Sequence, residues 1–213
     1  MLPVGLFPES TSLQMIQSSE GSELFGSEIQ MSEGLVPKVK ELFLMGRHAA
    51  HLGLKSLGSE NLEVGRSESR EPLWPEGFLG SIAHTSGLAV AVVAQNSLWR
   101  GLGIDVEKLD RSFRFEIDKK MASEKEQAWI RSQPEKVRER TLALFSAKEA
   151  TFKAFYPLEK VYLNFLDVEF SSNPQGFTGT LKKRAGEDWE VGFSFDVLQT
   201  GWKGYLVSAV TLK

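Results

Sequence analysis

The chain has 213 residues, 41% of them hydrophobic and 25% charged, with a formal charge of −3. This balance supports a folded core in one large or two small domains, and it argues against bulk attraction to nucleic acid or an anionic membrane, though not against a local basic patch. The absence of cysteine removes disulfides, thiolate nucleophiles and zinc–thiolate sites, and it suits a reducing cytoplasm.

Residues 1–10 lack the basic start and apolar stretch of a secretory signal. Weak periodicity up to residue 37 predicts short strands and loops. A helix is predicted over 39–54, with Phe43, Ala50 and Leu54 on its apolar face and Arg47 in the same stripe. His48 and His51 are expected on the surface of that helix. A polar connection follows over 58–71, and Pro72 and Pro75 make the segment around Trp74 extended or turning. Strands are predicted at 80–83 and 88–95, joined by Thr85-Ser86-Gly87; the apolar run 88–94 is too short for a bilayer and reads as buried. A third strand covers 102–107. Residues 111–156 are helical, with a Ser123/Glu126 capping box and the longest helix over 135–156. Strands return at 161–170, 177–183, 188–198 and 205–212, the third alternating Trp189, Val191, Phe193, Phe195 and Val197 with polar residues. A principal helix with several strands on either side of about residue 100 predicts an α+β fold, with halves at 1–100 and 101–213.

On the strand Gly101-Leu102-Gly103-Ile104-Asp105-Val106-Glu107, the two carboxylates share one face. They read either as a hard-cation site or as a solvated strand end. The Gly-x-Gly start lacks the third glycine and the helix of a dinucleotide loop. Glu149 interrupts an apolar stripe of Leu142, Phe145, Phe152 and Tyr156. It needs a partner, which is either Lys153 four residues on or a metal shared with Asp105 and Glu107. His84, at a strand end beside hydroxyl residues, suits an anion or a purely structural place. Arg47 and Arg70 are open to the same two readings. Ser81, His84 and Asp105 supply triad residue types without a nucleophile elbow.

Taken together and in order, Gly46-Arg47-x-Ala49-Ala50, Arg70-x-Pro72-x-Trp74-Pro75, Gly80-Ser81-Ile82-Ala83-His84-Thr85, Gly103-Ile104-Asp105-Val106-Glu107 and Phe145-Ser146-Ala147-Lys148-Glu149-Ala150-x-x-Lys153-Ala154 resemble the 4′-phosphopantetheinyl transferase superfamily. Within it they resemble the surfactin-type class and its enterobactin-synthetase component D-like subgroup. Ala83 and Ala150 stand where serine is common, and the first puts one hydroxyl contact to coenzyme A in doubt.

The resemblance implies two similar α/β halves related by a pseudo-twofold, with the active site in the cleft between them. It implies a cytoplasmic, monomeric holo-[carrier-protein] synthase. Such an enzyme transfers 4′-phosphopantetheine from coenzyme A to a serine of an acyl or peptidyl carrier protein and releases adenosine 3′,5′-bisphosphate. Siderophore synthesis is the pathway the subgroup favours. Asp105, Glu107 and Glu149 are implied as Mg²⁺ ligands. Glu149 and Lys153 are the implied catalytic pair, with either Glu149 or a metal-bound water taking the serine proton. Arg47, Arg70, His84, Lys148 and Lys153 are implied to bind the coenzyme. Carrier recognition would draw on Phe113, Phe115, Lys119, Lys120 and Met121. A Mg²⁺-dependent phosphohydrolase and a catalytically silent binding module are the competing readings.

Overall fold

In the computed structural model, which describes residues 5–111 and 117–213, the first half runs β1 (Thr11–Ile16), α1 (Ser27–Ser32), α2 (Pro37–Ser56), a short pair β2 (Gly65–Arg66) and β3 (Pro72–Leu73), then β4 (Phe78–Thr85) and β5 (Leu88–Gln95). Pro37 opens α2 at the position where its missing N–H and fixed φ cost nothing. Leu88 through Ala94 are all fully buried, because β5 is the central strand of an antiparallel sheet ordered β1-β5-β4. One face of β5 gives Ala91 and Val93 to a core with Ala49, Ala50 and Leu54 of α2. The other face gives Leu88, Val90, Val92 and Ala94 to a core shared with the second half.

The second half runs β6 (Gly101–Lys108), α3 (Ile117–Met121), α4 (Glu124–Arg131), a 3₁₀ turn (Pro134–Lys136), α5 (Val137–Glu159), β7 (Val168–Asn173), β8 (Gly176–Leu181), β9 (Ser194–Trp202) and β10 (Tyr205–Leu212). Its sheet is antiparallel with order β6-β10-β9-β8-β7. The two halves repeat one topology. A strand, a long helix and two more strands pair as β1-β5-β4 in the first half and as β6-β10-β9 in the second, which adds β7 and β8 at the far edge. The helices cover the outer faces, and Ile104, Val106 and Val207 meet β5 between the sheets. The layers are therefore helix, sheet, sheet, helix, an α+β arrangement. Among the described residues no helix is long and apolar enough to cross a membrane.

The capping box forms as expected, with the Ser123 side chain accepting from the Glu126 N–H and the Glu126 side chain accepting from the Ser123 N–H. Three expectations change. Residues 27–32 form a helix where only strands and loops were expected. The strand expected from 161 begins at Val168, because Lys160 closes α5 in a left-handed conformation (φ 55°) and the next residues cross the surface before pairing starts. The strand expected over 188–198 begins at Ser194. Trp189 is buried by contact with Phe155 and Phe193 from outside the sheet, so the alternation joined a loop aromatic to a true strand.

The glycines of the Gly-x-Gly pair lie on the face of β6 that meets α5. A Cβ at Gly103 would stand 1.9 Å from the Ala150 carbonyl oxygen, and one at Gly101 would stand 2.6 Å from that of Ala154. Their role is to let the helix backbone close onto the strand. Gly103→Ala is therefore expected to destabilise the chain by about 3 kcal/mol, at the upper end of overpacking costs, because the atom it meets is backbone. Chemical denaturation checks this, and a change below about 1 kcal/mol would show that the helix yields at little cost.

Candidate active site

With glycine at two positions of β6, α5 lies close enough that the next residues on the same face, Asp105 and Glu107, are covered by it. Both are buried, with 5% and 6% of their surface exposed. Lys153, one turn beyond Glu149 on α5, places Nζ 2.7 Å from Asp105 Oδ1. Arg111 reaches back four residues to pair with Glu107 Oε1, and its guanidinium stands 4.9 Å from the centre of the Phe145 ring. That i, i+4 partner was visible in the sequence as a basic residue just past the strand.

One oxygen of each β6 carboxylate, Asp105 Oδ2 and Glu107 Oε2, is buried without a hydrogen-bond partner. Such atoms carry a desolvation cost that a ligand can relieve. Burial pushes the Glu107 carboxyl pKa up, and Asp105 adds to the rise while Arg111 opposes it. Glu149 is raised for the same reasons: burial first, with Asp105 adding and Lys153 and Arg111 opposing. Carboxylates that repel each other and keep unsatisfied oxygens form an oxygen donor set of the kind a hard divalent cation takes, so these residues fit Mg²⁺. Among the described residues no three such side chains are already gathered around one point. Instead, the cations of Lys153 and Arg111 hold Asp105 and Glu107.

The first half supplies a basic wall. Arg47, Arg66, Arg70 and His84 line a cavity of about 420 Å³ with Phe43, Gly46, Pro72 and Ile82. Burial lowers the Arg47 pKa; Glu28 opposes that and nearby Arg66 reinforces it. Two guanidiniums held this close favour an anion between them. Arg70 is a non-glycine residue in the left-handed region (φ 75°), inside a turn closed by Ser67 N–H to Glu71 C=O and Arg70 N–H to Ser67 C=O. This conformation costs about 1–3 kcal/mol in general and gathers at ligand sites. His84 is open to solvent on one side. Its pKa is lowered by the protein packed against the other side and then by Lys153, with Asp105 opposing. The imidazole is thus neutral near pH 7, and it stands within electrostatic reach of the second half's charges.

Through Arg70, Pro72 and Ile82 the basic cavity joins a second one of about 360 Å³, in which Ser81 and Trp74 face Phe152, Lys153 and Tyr156 across the two halves. Phe152 and Tyr162 carry the trough into a third cavity of about 290 Å³ beside Glu149 and Phe165. A basic end, Lys153 in the middle cavity and an aromatic end beside Glu149 are thus linked through shared lining residues. Lys160 pairs with Glu71 across the trough's rim.

The structure therefore brings together Arg47, Arg70, His84, Asp105, Glu107, Glu149 and Lys153, and adds Arg66, Arg111 and Tyr162, which no motif marked. Lys148 also lines the third cavity, beside Glu149. Its ammonium is buried in that wall, donating to the carbonyls of Phe165 and Val168 and lying 3.0 Å from Glu126 Oε1. These contacts join α4, α5 and β7, a structural role beside the coenzyme contact expected of it. Lys148→Met should then leave the buried Glu126 with its backbone N–H donors but without its cation, at a cost of about 3–5 kcal/mol. A lowered Tm checks this, whereas an unchanged Tm with a raised KM for coenzyme A would leave only the expected coenzyme contact.

Three smaller expectations also change. His51, expected on the surface, is buried against Glu28. Ser81 accepts from the Ile104 N–H, strapping β4 to β6, which leaves nothing of the triad reading. Ala83 faces the core between the sheets, so the methyl in place of a hydroxyl is packed away from the trough. Of the expected carrier-binding residues, Phe113 and Phe115 lie outside the described residues, Lys119 and Lys120 are exposed, and Met121 is fully buried in the core.

Comparison with known proteins matches residues 28–94 to the 4′-phosphopantetheinyl transferase N-terminal domain and residues 101–209 to the 4′-phosphopantetheinyl transferase superfamily. The chain is 28% identical to the 4′-phosphopantetheinyl transferase PptT of Mycobacterium tuberculosis over 100% of its own length and 96% of the relative's. It is 31% identical to the 4′-phosphopantetheinyl transferase Npt of Nocardia iowensis over 80% of its own length and 74% of the relative's. Enterobactin synthase component D of Salmonella typhimurium is 32% identical but aligns over only 55% of this chain and 49% of its own. The likeness to the enterobactin subgroup is thus real but partial, and the actinobacterial relatives share more of the chain.

Proposed function

Because the chain belongs to the 4′-phosphopantetheinyl transferase superfamily, and is thereby an enzyme that passes phosphopantetheine to carrier proteins, we propose that it takes the group from coenzyme A, requires Mg²⁺ and releases adenosine 3′,5′-bisphosphate. The observation that carries this reading is the pair of orphaned buried oxygens, Asp105 Oδ2 and Glu107 Oε2, on the strand whose Asp105 pairs with Lys153, the cation that lines the middle of a trough with arginines at one end. Arg47, Arg66, Arg70 and His84 would receive the phosphates of the nucleotide end, where guanidinium forks match phosphate oxygens. The pyrophosphate would then lie at Lys153, and the pantetheine arm would continue toward Phe152 and Tyr162.

Asp105, Glu107 and Glu149 would hold Mg²⁺, which when bound neutralises pyrophosphate charge and helps keep the attacking and leaving oxygens in line. The carrier serine oxygen attacks the phosphorus on the pantetheine side, and the bond from that phosphorus to the bridging oxygen breaks. The serine proton goes to Glu149, the carboxylate that lines the aromatic end of the trough. Lys153 swings from Asp105 to the bridging oxygen and offsets the charge that develops on the leaving bisphosphate.

The test is incubation with labelled coenzyme A, Mg²⁺ and a panel of apo-carriers from fatty-acid, polyketide and siderophore peptide synthesis. Labelled carrier is expected. Coenzyme A binding with no label on any carrier would count against the proposal. The panel also identifies the natural partner, with a siderophore peptidyl carrier included because of the enterobactin relative.

A further inference from the structure

Glu28 sits in the short helix α1, outside every motif named above, yet its side chain is completely buried. Its Oε1 accepts from the Val64 N–H at 2.9 Å and lies 2.9 Å from His51 Nε2; its Oε2 accepts from the Phe25 N–H at 2.9 Å. Arg47 Nε stands 3.5 Å from the same Oε1. A carboxylate removed from water is tolerated only when several donors converge on it, and here they come from α2, from Phe25 just before α1 and from Val64 in a loop distant in sequence. Of these partners Arg47 is the one that lines the basic cavity. Its NH2 group donates to the Gly65 carbonyl at 3.3 Å, and its guanidinium lies 4.8 Å from the centre of the Phe43 ring. The guanidinium is thus held by the Gly65 carbonyl and the Phe43 ring, Glu28 acts on it through charge and not through a hydrogen bond at Nε, and the side chain lines the space shared with Arg66, Arg70 and His84.

We propose that Glu28 is a positioning residue, which from behind the basic cavity aims the Arg47 guanidinium at a phosphate of the coenzyme's nucleotide end. The inference rests on the functional reading above and assigns a part to a carboxylate that reading leaves unused. An unanchored arginine loses side-chain entropy when it binds, and Arg66 would repel it from the cavity. Glu28 removes the first cost in advance and counters the second. Because Arg47 works at the binding end and not at Lys153, the effect belongs in coenzyme affinity and not in the chemical step.

The experiment compares wild type, Glu28→Gln, Arg47→Ala and the double variant for KM and kcat with coenzyme A, together with direct coenzyme A binding by calorimetry. Glu28→Gln is expected to raise KM about tenfold with kcat within about twofold. In the Arg47→Ala background the same change should add nothing, because Glu28 acts through that side chain. A merely structural carboxylate would show its full effect in both backgrounds, and that result would overturn the inference, as would an unchanged KM or a fall confined to kcat. If Glu28→Gln melts below the assay temperature, Glu28→Asp reports the same coupling, since it keeps the charge but draws it back from Arg47. Wild-type protein that neither binds coenzyme A nor transfers from it would overturn the functional reading first and this inference with it. That arm contains no variant, so the two failures are distinguishable.

Discussion

Replacing Asp105 with asparagine should lower kcat about 10²–10³-fold, the loss that follows removal of one main electrostatic contact at a transition state. It should also abolish the stabilisation of the protein by Mg²⁺. Asp105 is placed for this by three features: a position on β6 opposite Ser208, burial under α5, and a second oxygen that no protein group satisfies. Asparagine keeps the shape but presents a neutral amide beside Lys153. In wild type, Mg²⁺ binding to the folded state alone should raise Tm with concentration. The variant should show neither the rise nor metal-dependent turnover. Turnover that stays metal-dependent and near wild type would remove Asp105 from the metal set.

Replacing Glu149 with glutamine should separate activity from stability in the other large effect. A fall of about 10²–10³-fold in kcat is expected, within the range that general acid–base groups supply. In metal-free buffer near pH 7 the same variant should be the more stable protein. The sign follows from the raised carboxyls of Glu107 and Glu149. A group whose folded pKa exceeds its unfolded value stabilises the protein while protonated, and that stability is lost as pH rises through the folded pKa. Above that range the crowded carboxylates repel, and glutamine removes one of them. A gain of about 2–4 °C in Tm is expected, the shift that roughly 1 kcal/mol gives a chain of this size. A lower Tm would mean that Glu149 is held by its contact with Lys153 and is a structural ion pair, the alternative that the helix spacing leaves open.

What could be read from residue order was the part set by local chemistry. The continuous apolar run of residues 88–94 with its demand for burial, the capping box at Ser123 and Glu126, the shared face of Asp105 and Glu107, and Glu149 in an apolar stripe each depend on neighbours a few residues away. Features built from distant segments could not be read. Lys148 carries the same charge as Lys153 five residues earlier, and only the placement of β7 and Glu126 shows that its ammonium is buried. Arg66 and Glu28 join the basic cavity through contacts spanning loops that have no periodicity. The Gly-x-Gly pair was legible as glycine but not as a helix contact, since Ala150 approaches from nearly fifty residues away. Trp189 misled because period two is shared by a strand and by an aromatic residue that a loop happens to bury.

On the proposed function, the paired carboxylates of β6 and α5 would serve transfer of phosphopantetheine to a protein serine, not its hydrolysis. The most direct measurement follows coenzyme A labelled in its pantetheine moiety, with an apo-carrier present or absent, in Mg²⁺ or in chelator. The prediction is one label on the carrier serine in Mg²⁺, none in chelator, and negligible free 4′-phosphopantetheine when the carrier is omitted. Rapid release of free 4′-phosphopantetheine without carrier, or equal labelling in chelator, would contradict it.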